Sequence, residues 1–302
     1  MKKRVLALLL AACTAMSFAA CSSGEDSSGS SDSGSAESTD SGSGDSDAST
    51  EIETVTPGVL TVATSPDFAP YEFYAIDEEG NPTLAGFDIA LAQYIADYMG
   101  LELQIVTVDF DGVLSELQTK SVDLGMSGFA PDPDREAIME FSDSYYTGSQ
   151  SVVTTKDNAD TYNSFEALNN PDVTIGAQTG SIQLDLANEN SADADIISLP
   201  KVTDIISELL AGTMDAAYIE TDVAKSYQQN YPDLEIVLEV PYEQNGASVG
   251  VVKDNPELLA AVNEAIAQAL SDGSMETFIA EANEQASGQT YEGLLDENGN
   301  VQ

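Results

Sequence analysis

Short segments with strand character alternate with amphipathic helical segments along most of this chain, and this alternation restricts the fold more than any other feature. The first half predicts strands at 58–64, 101–108 and 122–126, and helices at 88–99 and 111–119. Strand, helix, strand at this period is typical of a mostly parallel α/β sheet, because each helix carries the chain back across the sheet.

The same pattern starts again after residue 147. The second half predicts strands at 148–155, 173–177, 196–199, 215–220 and 234–238, and helices at 182–189, 202–210 and 223–229. A last strand at 246–252 precedes helices at 256–271 and 275–281. Two α/β units of similar size predict a folded body with two lobes.

Capping residues mark several helix ends. Asp88, Ser181 and Asn255 are predicted N-caps, because their short polar side chains accept hydrogen bonds from free backbone N–H groups. Pro256 stands at the first helical position, where its missing N–H is tolerated. Gly273 is expected to end that helix.

The N-terminus has the features of an export signal, with a basic segment at 1–4 followed by an apolar one at 5–12. Small residues precede Cys21, as in a bacterial lipobox, whose cysteine is lipidated and becomes the mature N-terminus. Cys13 also fits this pattern, but it would truncate the apolar segment, so Cys21 is preferred. Residues 1–20 are then a signal peptide, and residues 21–57 a lipidated, disordered linker rich in Ser, Gly and Asp.

Composition argues against several classes of function. The formal net charge of −44 argues against nucleic acid as a partner, because phosphate contacts need basic patches. The chain has no histidine and no cysteine after Cys21, which argues against a disulfide, a metal site or a haem. No cofactor is expected.

Arg135 is the only arginine after residue 4. It follows a predicted strand that ends in the small residues Ser127, Gly128 and Ala130, which allow a ligand to approach the backbone closely. A guanidinium can bind a carboxylate through two parallel hydrogen bonds, which an ammonium cannot do. This segment therefore predicts a carboxylate-binding site.

Glu220 offers the complementary charge, directly after an apolar strand. It would bind an ammonium group, while backbone N–H groups near Ala130 and at the helix that starts after Ser181 would complete the carboxylate site. The two charges together fit an α-amino acid.

Both charged residues also have simpler explanations. Arg135 could be a surface arginine paired with Asp132 or Asp134. An acid just past a buried strand, such as Glu220, is often a pairing or capping residue. The sequence leaves these alternatives open.

Several segments resemble the extracellular solute-binding protein family 3, the polar amino acid receptors of ABC importers, which include glutamine-, histidine- and arginine-binding proteins. The resemblance spans about 58–281 and rests on the segments SPDFAPYEF at 65–73, GFDIALA at 86–92, DFDG at 109–112, DLGMSGFAPDPDR at 123–135, FSDSYY at 141–146 and DAAYIE at 215–220. It implies a two-lobed, hinge-linked α/β fold of the type II periplasmic-binding-protein kind.

The resemblance also implies how the chain is divided between the lobes. Lobe 1 is expected at 58–152, lobe 2 at 153–244, a return to lobe 1 at 245–286, and an acidic C-terminal tail at 287–302. The two hinge strands are expected near 151–155 and 242–247.

The same resemblance implies a role for each site residue. Phe68 and Phe110 would enclose the ligand side chain. The carboxylate would be held by Ser127, Ala130, Arg135, Ser181 and Ile182, and the ammonium by Ser127 and Glu220.

The chain departs from the family pattern at the ligand itself. Ser65 stands where many relatives have an acid, Glu220 where Asp is usual, and Ala130 where Thr is common. With Ser65 and Gln178 as hydrogen-bond partners beside the aromatic pair, a neutral, glutamine-like side chain is expected. Charged side chains should bind weakly, because a buried unpaired charge is costly.

The predicted function is therefore that of a lipid-anchored substrate-binding protein of an ABC importer, on the outer face of the cytoplasmic membrane as in Gram-positive bacteria. Its partners would be a free amino acid and a membrane permease, and it would be a monomer without enzymatic activity. One alternative is a dehydratase- or transglycosylase-type enzyme on the same fold, although no histidine, reactive cysteine or second cleft acid is evident. Another is a ligand-sensing module, which would need a transmembrane helix and a cytoplasmic domain.

Overall fold

The computed structural model describes residues 52–76, 81–242 and 246–287. The strands in these ranges are β1 (Val59–Thr64), β2 (Asp67–Phe68), β3 (Glu72–Ile76), β4 (Pro82–Ala85), β5 (Glu102–Thr107), β6 (Leu124–Gly125), β7 (Met139–Tyr146), β8 (Gln150–Thr155), β9 (Thr174–Gln178), β10 (Asp195–Leu199), β11 (Ala216–Glu220), β12 (Leu234–Val240) and β13 (Ala247–Val252). The α-helices are α1 (Phe87–Met99), α2 (Phe110–Gln118), α3 (Phe165–Leu168), α4 (Ile182–Asn190), α5 (Val202–Ala211), α6 (Thr221–Asn230), α7 (Pro256–Asp272) and α8 (Ser274–Ala286).

Two five-stranded sheets form the frame of the body, with the orders β5-β1-β6-β13-β7 and β10-β9-β11-β8-β12. In each sheet the first three strands are parallel, and the fourth is antiparallel to both of its neighbours. We call the elements around the first sheet lobe 1 and those around the second sheet lobe 2. The shared topology confirms the predicted α/β class and its two similar units.

Helices cover both faces of the first sheet. Alternate residues of β1 lie in different cores, since Val62 packs with Leu91 of α1 while Ala63 packs with Val113 of α2. These four side chains are fully buried. Because α7 packs against α1, the C-terminal helices complete the lobe that the N-terminal half begins.

The chain passes between the two sheets twice. It runs from β7 to β8 through 147–149, and it returns from β12 to β13 after Val240. The hinge expected at 151–155 is therefore wrong, because these residues are paired inside the second sheet. The other hinge, expected at 242–247, coincides with the return segment, of which 243–245 lie outside the described residues.

The hydrophobic pattern misses four strands. β3 and β4 form a small antiparallel sheet with β2, and the turn predicted near 77–82 lies mostly outside the described residues. β7 is an edge strand of the first sheet, and its exposed polar residues interrupt the pattern that would predict a strand. The strand predicted at 122–126 is paired only over Leu124–Gly125.

Ser181, Asn255 and Gly273 act at helix ends as predicted. The side chains of Ser181 and Asn255 each accept a hydrogen bond of 3.2 Å from the third residue of their helix. Gly273 follows α7 with a φ of 83°, a conformation that favours glycine.

Asp88 is not a helix cap, which corrects the prediction. The residue before α1 is Gly86, and Asp88 lies inside the first turn. Its carboxylate is fully buried and accepts hydrogen bonds from Gly128 and Tyr145, which are distant in the sequence.

The described body begins earlier than the expected boundary at residue 58. The N–H of Val55 donates to Asp123 Oδ1 at 2.7 Å, and the Asn255 side chain donates to the Glu53 carbonyl at 2.8 Å. Residues 52–57 are therefore attached to lobe 1. The signal peptide, Cys21, the linker up to residue 51 and the tail from 288 lie outside the described residues. In the ranges that the structure covers, no helix has both the length and the apolarity needed to span a bilayer.

Candidate ligand-binding site between the lobes

Arg135 lies where the two lobes meet, in a single 3₁₀ turn, and is only 8% exposed. Its Nη2 donates to the Gly180 carbonyl of lobe 2 at 3.0 Å, and Nη1 lies 3.5 Å from the Ala130 carbonyl. The Cζ atom lies 5.5 Å from the ring centre of Phe110 and 5.8 Å from that of Phe129. The charge is therefore held against two aromatic rings and two carbonyl groups.

No acid in the described ranges forms an ion pair with this guanidinium. The salt bridges among the described residues are all made by lysines. Burial lowers the pKa of Arg135, and the charges of Asp132 and Asp185 oppose that shift only from longer range. The alternative of a surface arginine paired with Asp132 or Asp134 is therefore wrong.

The start of α4 lies beside Arg135, because Gly180 directly precedes its N-cap. The Ser181 hydroxyl donates to the Gln178 carbonyl at 2.8 Å and accepts from the Leu184 N–H at 3.2 Å. A helix N-terminus carries a partial positive charge from its unpaired N–H groups. A buried guanidinium next to such a terminus is an arrangement suited to an anion.

Glu220 ends β11 as a buried acid, 4% exposed. Its Oε2 accepts from the N–H groups of Asp222 and Val223 at 2.7 and 2.9 Å, so Glu220 is the N-cap of α6 and the capping alternative is confirmed. Its Oε1 has only a 3.4 Å contact with the Ser149 N–H. No basic side chain in the described ranges forms a salt bridge with Glu220, and burial raises its pKa to about 7.

Gly148 and Tyr71 lie next to the weakly bonded oxygen of Glu220. A Cβ on Gly148 would stand 2.5 Å from Glu220 Oε1 and 3.0 Å from the Tyr71 hydroxyl, so a larger residue would not fit without movement. Burial and the charge of Glu220 raise the pKa of Tyr71 well above its ordinary value. Tyr71 therefore stays neutral and can donate a hydrogen bond.

Phe68 and Phe110 are both buried, but each is paired with a different aromatic neighbour. The Phe68 ring centre lies 5.3 Å from that of Tyr71, and the Phe110 ring centre lies 5.3 Å from that of Phe129. Their expected enclosure of a ligand side chain stays a prediction.

Ser127 and Gly128 are bonded to two buried acids. The Ser127 hydroxyl donates to Glu72 Oε1, and the Gly128 N–H donates to Asp88 Oδ2 at 3.0 Å. Gly128 has a φ of 58°, and a Cβ there would stand 2.9 Å from the Phe68 ring. Gly128 therefore cannot offer its N–H to a ligand, whereas the Ser127 oxygen can still accept a hydrogen bond.

Ser65 and Gln178 also have partners within the protein. The Ser65 hydroxyl donates to Asp67 Oδ1 at 3.0 Å, and Gln178 Nε2 donates to the Pro200 carbonyl at 3.1 Å. Both residues are buried, as is Ile182 at the first position of α4.

Asp67 connects the two lobes. Its Oδ2 accepts from the N–H of Val202, the first residue of α5, and burial raises its pKa to about 6. A second connection joins the Tyr146 hydroxyl of the first sheet to Asp222 of α6 at 2.6 Å. Together with the contact of Arg135, these bonds close lobe 1 onto lobe 2 at the site.

The predicted residues thus form two groups of opposite charge at the lobe boundary. Arg135 lies with Phe110, Ala130 and the start of α4, and Glu220 lies with Tyr71, which contacts Phe68. The loop 127–130 joins the groups. Such a site can bind a molecule that carries both charges.

Sequence reasoning misses four buried residues of this region: Asp67, Tyr71, Glu72 and Asp88. All four lie in the segments 65–73 and 86–92, where acids stand among aromatic and small apolar residues. Acids in such surroundings could have been predicted to be buried and hydrogen-bonded, because a carboxyl group enters an apolar core only when it has partners there.

Two lobes of matching topology, connected by two crossing segments around a charged site, define the class of type II periplasmic binding proteins. Residues 60–282 match the family model described as bacterial extracellular solute-binding proteins, family 3, and the chain belongs to this family.

Three similar proteins illustrate the match. The arginine-binding extracellular protein ArtP of Bacillus subtilis (strain 168) is 32% identical over 221 residues, which cover 72% of this chain and 83% of ArtP. The crystal structure of the amino acid ABC transporter substrate-binding protein AbpA from Streptococcus pneumoniae, bound to L-arginine, is 34% identical with a TM-score of 0.73, covering 77% of this chain and 97% of AbpA. An ancestral arginine-binding protein bound to glutamine is 30% identical with a TM-score of 0.69, covering 75% of this chain and 98% of its own. All three are binding proteins, and AbpA is the substrate-binding protein of an amino acid ABC transporter.

Proposed function

We propose that this protein captures a free α-amino acid between its lobes and delivers it to the membrane subunits of an ABC importer. The observation that carries the proposal is a pair of opposite, buried charges, Arg135 and Glu220, that have no ion-pair partner in the described part of the chain. An α-carboxylate would neutralise the first and an α-ammonium the second. Because a buried charge without a partner is costly, a ligand that supplies both partners gains the most.

The other site residues support this ligand in the roles expected from the family. Phe68 and Phe110 enclose the side chain of the ligand. The carboxylate group is supported by Ala130, Ser181 and Ile182, and the ammonium group by Ser127.

We infer a neutral, polar side chain such as that of glutamine. The Ser65 oxygen can accept a hydrogen bond, and Gln178 can accept through Oε1, since its Nε2 is bonded to Pro200. No charged group of the protein is needed for a side chain of this kind.

Arginine is a second candidate, and Asp67 is the observation that favours it. This acid is hydrogen-bonded to Ser65, so negative charge lies just behind the position where relatives carry an acid. ArtP and the ancestral protein are arginine-binding proteins, and AbpA is bound to L-arginine in its crystal structure. The carboxyl oxygens of Asp67 already accept hydrogen bonds from Ser65 and Val202, which leaves them less available to a guanidinium.

A calorimetric screen of the twenty amino acids tests both candidates. Glutamine or another neutral polar amino acid should bind most tightly. If arginine binds most tightly, the inference of a neutral ligand side chain is wrong and the site accepts a cationic side chain. If no amino acid binds, the proposed function is refuted.

The variant Arg135→Lys tests whether Arg135 binds the carboxylate of the ligand. It should weaken binding of the best ligand by at least about tenfold, because a point charge replaces a planar group with two parallel donors. Lys156→Arg, the reverse exchange at an exposed position of lobe 2, is the control and should leave the affinity unchanged. Equal affinity of wild type and Arg135→Lys would show that the carboxylate binds elsewhere.

We further infer that the ligand leaves the site chemically unchanged. Arg135 and Glu220 are both assigned to charge pairing, which leaves neither as a proton-transfer group. Recovery of unaltered ligand by mass spectrometry after long incubation is expected, and a new product would favour an enzyme.

We also propose that Cys21 is lipidated and anchors the protein to the membrane. The small residues before it and the polar linker after it support this assignment. Cys21→Ser should move the protein from the membrane fraction to the soluble fraction. If the variant remains in the membrane fraction, the anchor lies elsewhere.

A further inference from the structure

Glu72 and Asp88 form a fully buried acidic pair behind the loop 127–130. Glu72 begins β3, and Asp88 lies in the first turn of α1. Their carboxyl groups lie close together, because they accept hydrogen bonds from the consecutive residues Ser127 and Gly128. Two like charges close together inside a protein are costly, so the pair needs a compensating feature.

The hydrogen bonds of the pair leave one oxygen without a donor. Asp88 accepts from the Tyr145 hydroxyl at 2.6 Å on Oδ1 and from the Gly128 N–H at 3.0 Å on Oδ2. Glu72 accepts from the Ser127 hydroxyl on Oε1. Glu72 Oε2 is buried and has no hydrogen-bond donor among the residues that the structure describes. A proton on Oε2, donated to Asp88, would satisfy this atom and remove one of the two charges.

We propose that Glu72 and Asp88 share one proton and that this pair fixes the loop 127–130 so that Ser127 is positioned for ligand binding. In this arrangement Glu72 Oε2 donates to Asp88, while Glu72 Oε1 accepts from Ser127. The inference extends the proposed function, because it assumes that the loop 127–130 contacts the amino acid.

The groups around Glu72 favour a neutral carboxylic acid. Burial, followed by the charge of Asp88, raises the pKa of Glu72 well above its ordinary value, and Asp67 of β2 adds to the shift. Burial raises the pKa of Asp88 to about 6. Tyr145 of β7 and Tyr71 have pKa values raised well above the ordinary one, so both remain neutral donors.

The shared proton determines how Ser127 meets a ligand. Because the Ser127 hydroxyl gives its own proton to Glu72, its oxygen can only accept from another group. Ser127 is thereby assigned to the ammonium of the ligand rather than to its carboxylate. The bond from Gly128 to Asp88 holds the next residue at its φ of 58°, so the pair controls two consecutive loop residues.

Two substitutions of Glu72 separate the shared proton from a purely structural role. Glu72→Gln keeps the shape, an acceptor for Ser127 and a donor for Asp88, so ligand affinity at pH 7 should stay within about threefold of wild type. Glu72→Leu removes both hydrogen bonds and should weaken binding by at least about tenfold. Glu102→Gln, the same change on an exposed residue of β5, is the control. Equal, large losses in Glu72→Gln and Glu72→Leu would overturn the proposal, as would unchanged binding in Glu72→Leu.

A direct measurement of the proton needs neither a ligand nor the leucine variant. Carbon NMR of the full chain labelled at the glutamate and aspartate carboxyl groups should show a protonated glutamate at pH 7 that is absent from Glu72→Gln. A spectrum in which every protonated glutamate is also present in Glu72→Gln would refute the shared proton, since Glu220 is partly protonated at this pH in both proteins. If no amino acid binds to wild type, the proposed function fails, while this measurement still decides the state of Glu72.

The dependence of stability on pH gives a second measurement. A group whose pKa is raised by folding stabilises the protein fully below its unfolded pKa, and this contribution is lost as the pH rises through its folded pKa. The melting temperature of wild type minus that of Glu72→Gln should therefore decrease as the pH is raised from 5 to 9. A constant difference would contradict the proposal.

Discussion

Glu220 has two different tasks at its two oxygens. Oε2 caps α6, which fixes the side chain, and Oε1 lies beside Gly148 and Tyr71 with only a weak protein donor. The cap holds the carboxylate at the lobe boundary without using all of its acceptor capacity. A residue that ends a strand and starts a helix can therefore also bind a ligand.

This arrangement makes ligand binding sensitive to pH. Because burial raises the pKa of Glu220 to about 7, much of the unliganded protein carries a neutral Glu220 below that pH. An ammonium favours the ionised form, so binding must release the proton. We expect affinity, measured by calorimetry between pH 8 and pH 6, to fall by up to about tenfold per pH unit below 7.

Glu220→Gln is the control for this prediction. The variant should bind more weakly than wild type, with a flatter dependence on pH. Glu72, whose pKa is raised well above its ordinary value, and Asp67 and Asp88, whose pKa values are raised to about 6, are other buried carboxyl groups that could contribute. An equally steep dependence in Glu220→Gln would assign the effect to these residues instead.

The charged ends of the site could be predicted at the residue scale, but the residues behind them could not. Arg135 is recognisable because it is a rare arginine after a strand, and Glu220 because it follows an apolar strand. Glu72 and Asp88 are joined to the loop across 55 and 40 residues of sequence. Local pattern carries no information about such contacts, since they depend on how the sheets and helices pack.

At the scale of elements, α5 begins with an unusual cap. Lys201, the residue before the helix, makes no side-chain cap, and the N–H of Val202 donates instead to Asp67 of the other lobe. By contrast, α7 is capped by its own Asn255. The cap of α5 therefore exists only while the lobes are together.

This difference predicts distinct effects for two similar substitutions. Asp67→Ala and Asn255→Ala should each reduce stability by about 1 kcal/mol in thermal or denaturant unfolding, since each removes a cap. Only Asp67→Ala should also weaken ligand binding, because it removes a contact of the closed form.

The affinity of Asp67→Ala for two different amino acids shows the cause. A lost contact between the lobes lowers both affinities by the same factor, whereas a lost side-chain contact lowers one selectively. Unchanged affinity for both ligands would show that the bond to α5 does not favour the closed form.

Most helices and strands could be predicted from hydrophobic periodicity. A helix or strand that is buried on one side repeats its apolar residues at the period of its own geometry. α7 shows this clearly, with Leu258, Val262 and Ile266 buried along one face. β7 does not, because an edge strand carries polar residues that disturb the alternation. The segment 147–149 could not be predicted either, since a crossing between sheets has no periodic pattern.

At the scale of the whole molecule, two crossing segments connect the lobes, and we expect the lobes to move relative to each other about these segments. Binding requires access to Arg135 and Glu220, so the contacts made by Arg135, Asp67 and Tyr146 across the boundary must break and reform. A ligand that touches both lobes should favour the closed form.

Solution scattering measures this closure. We expect the radius of gyration of wild type to decrease when the ligand is saturating. Arg135→Lys, at a ligand concentration too low to fill its weakened site, should show no decrease. An unchanged radius of gyration in saturated wild type would mean that the ligand enters without closure.

The position of β13 has a consequence for the order in which the chain can fold. This strand lies between β6 and β7, yet it is the last strand along the described residues, whereas the second sheet is built entirely from residues 150–240. A chain that emerges N-terminus first can therefore complete lobe 2 while β7 still lacks its neighbour. Contacts between residues that are distant in the sequence form slowly. Lobe 1, which carries Arg135, should therefore be the last part of the nascent chain to fold.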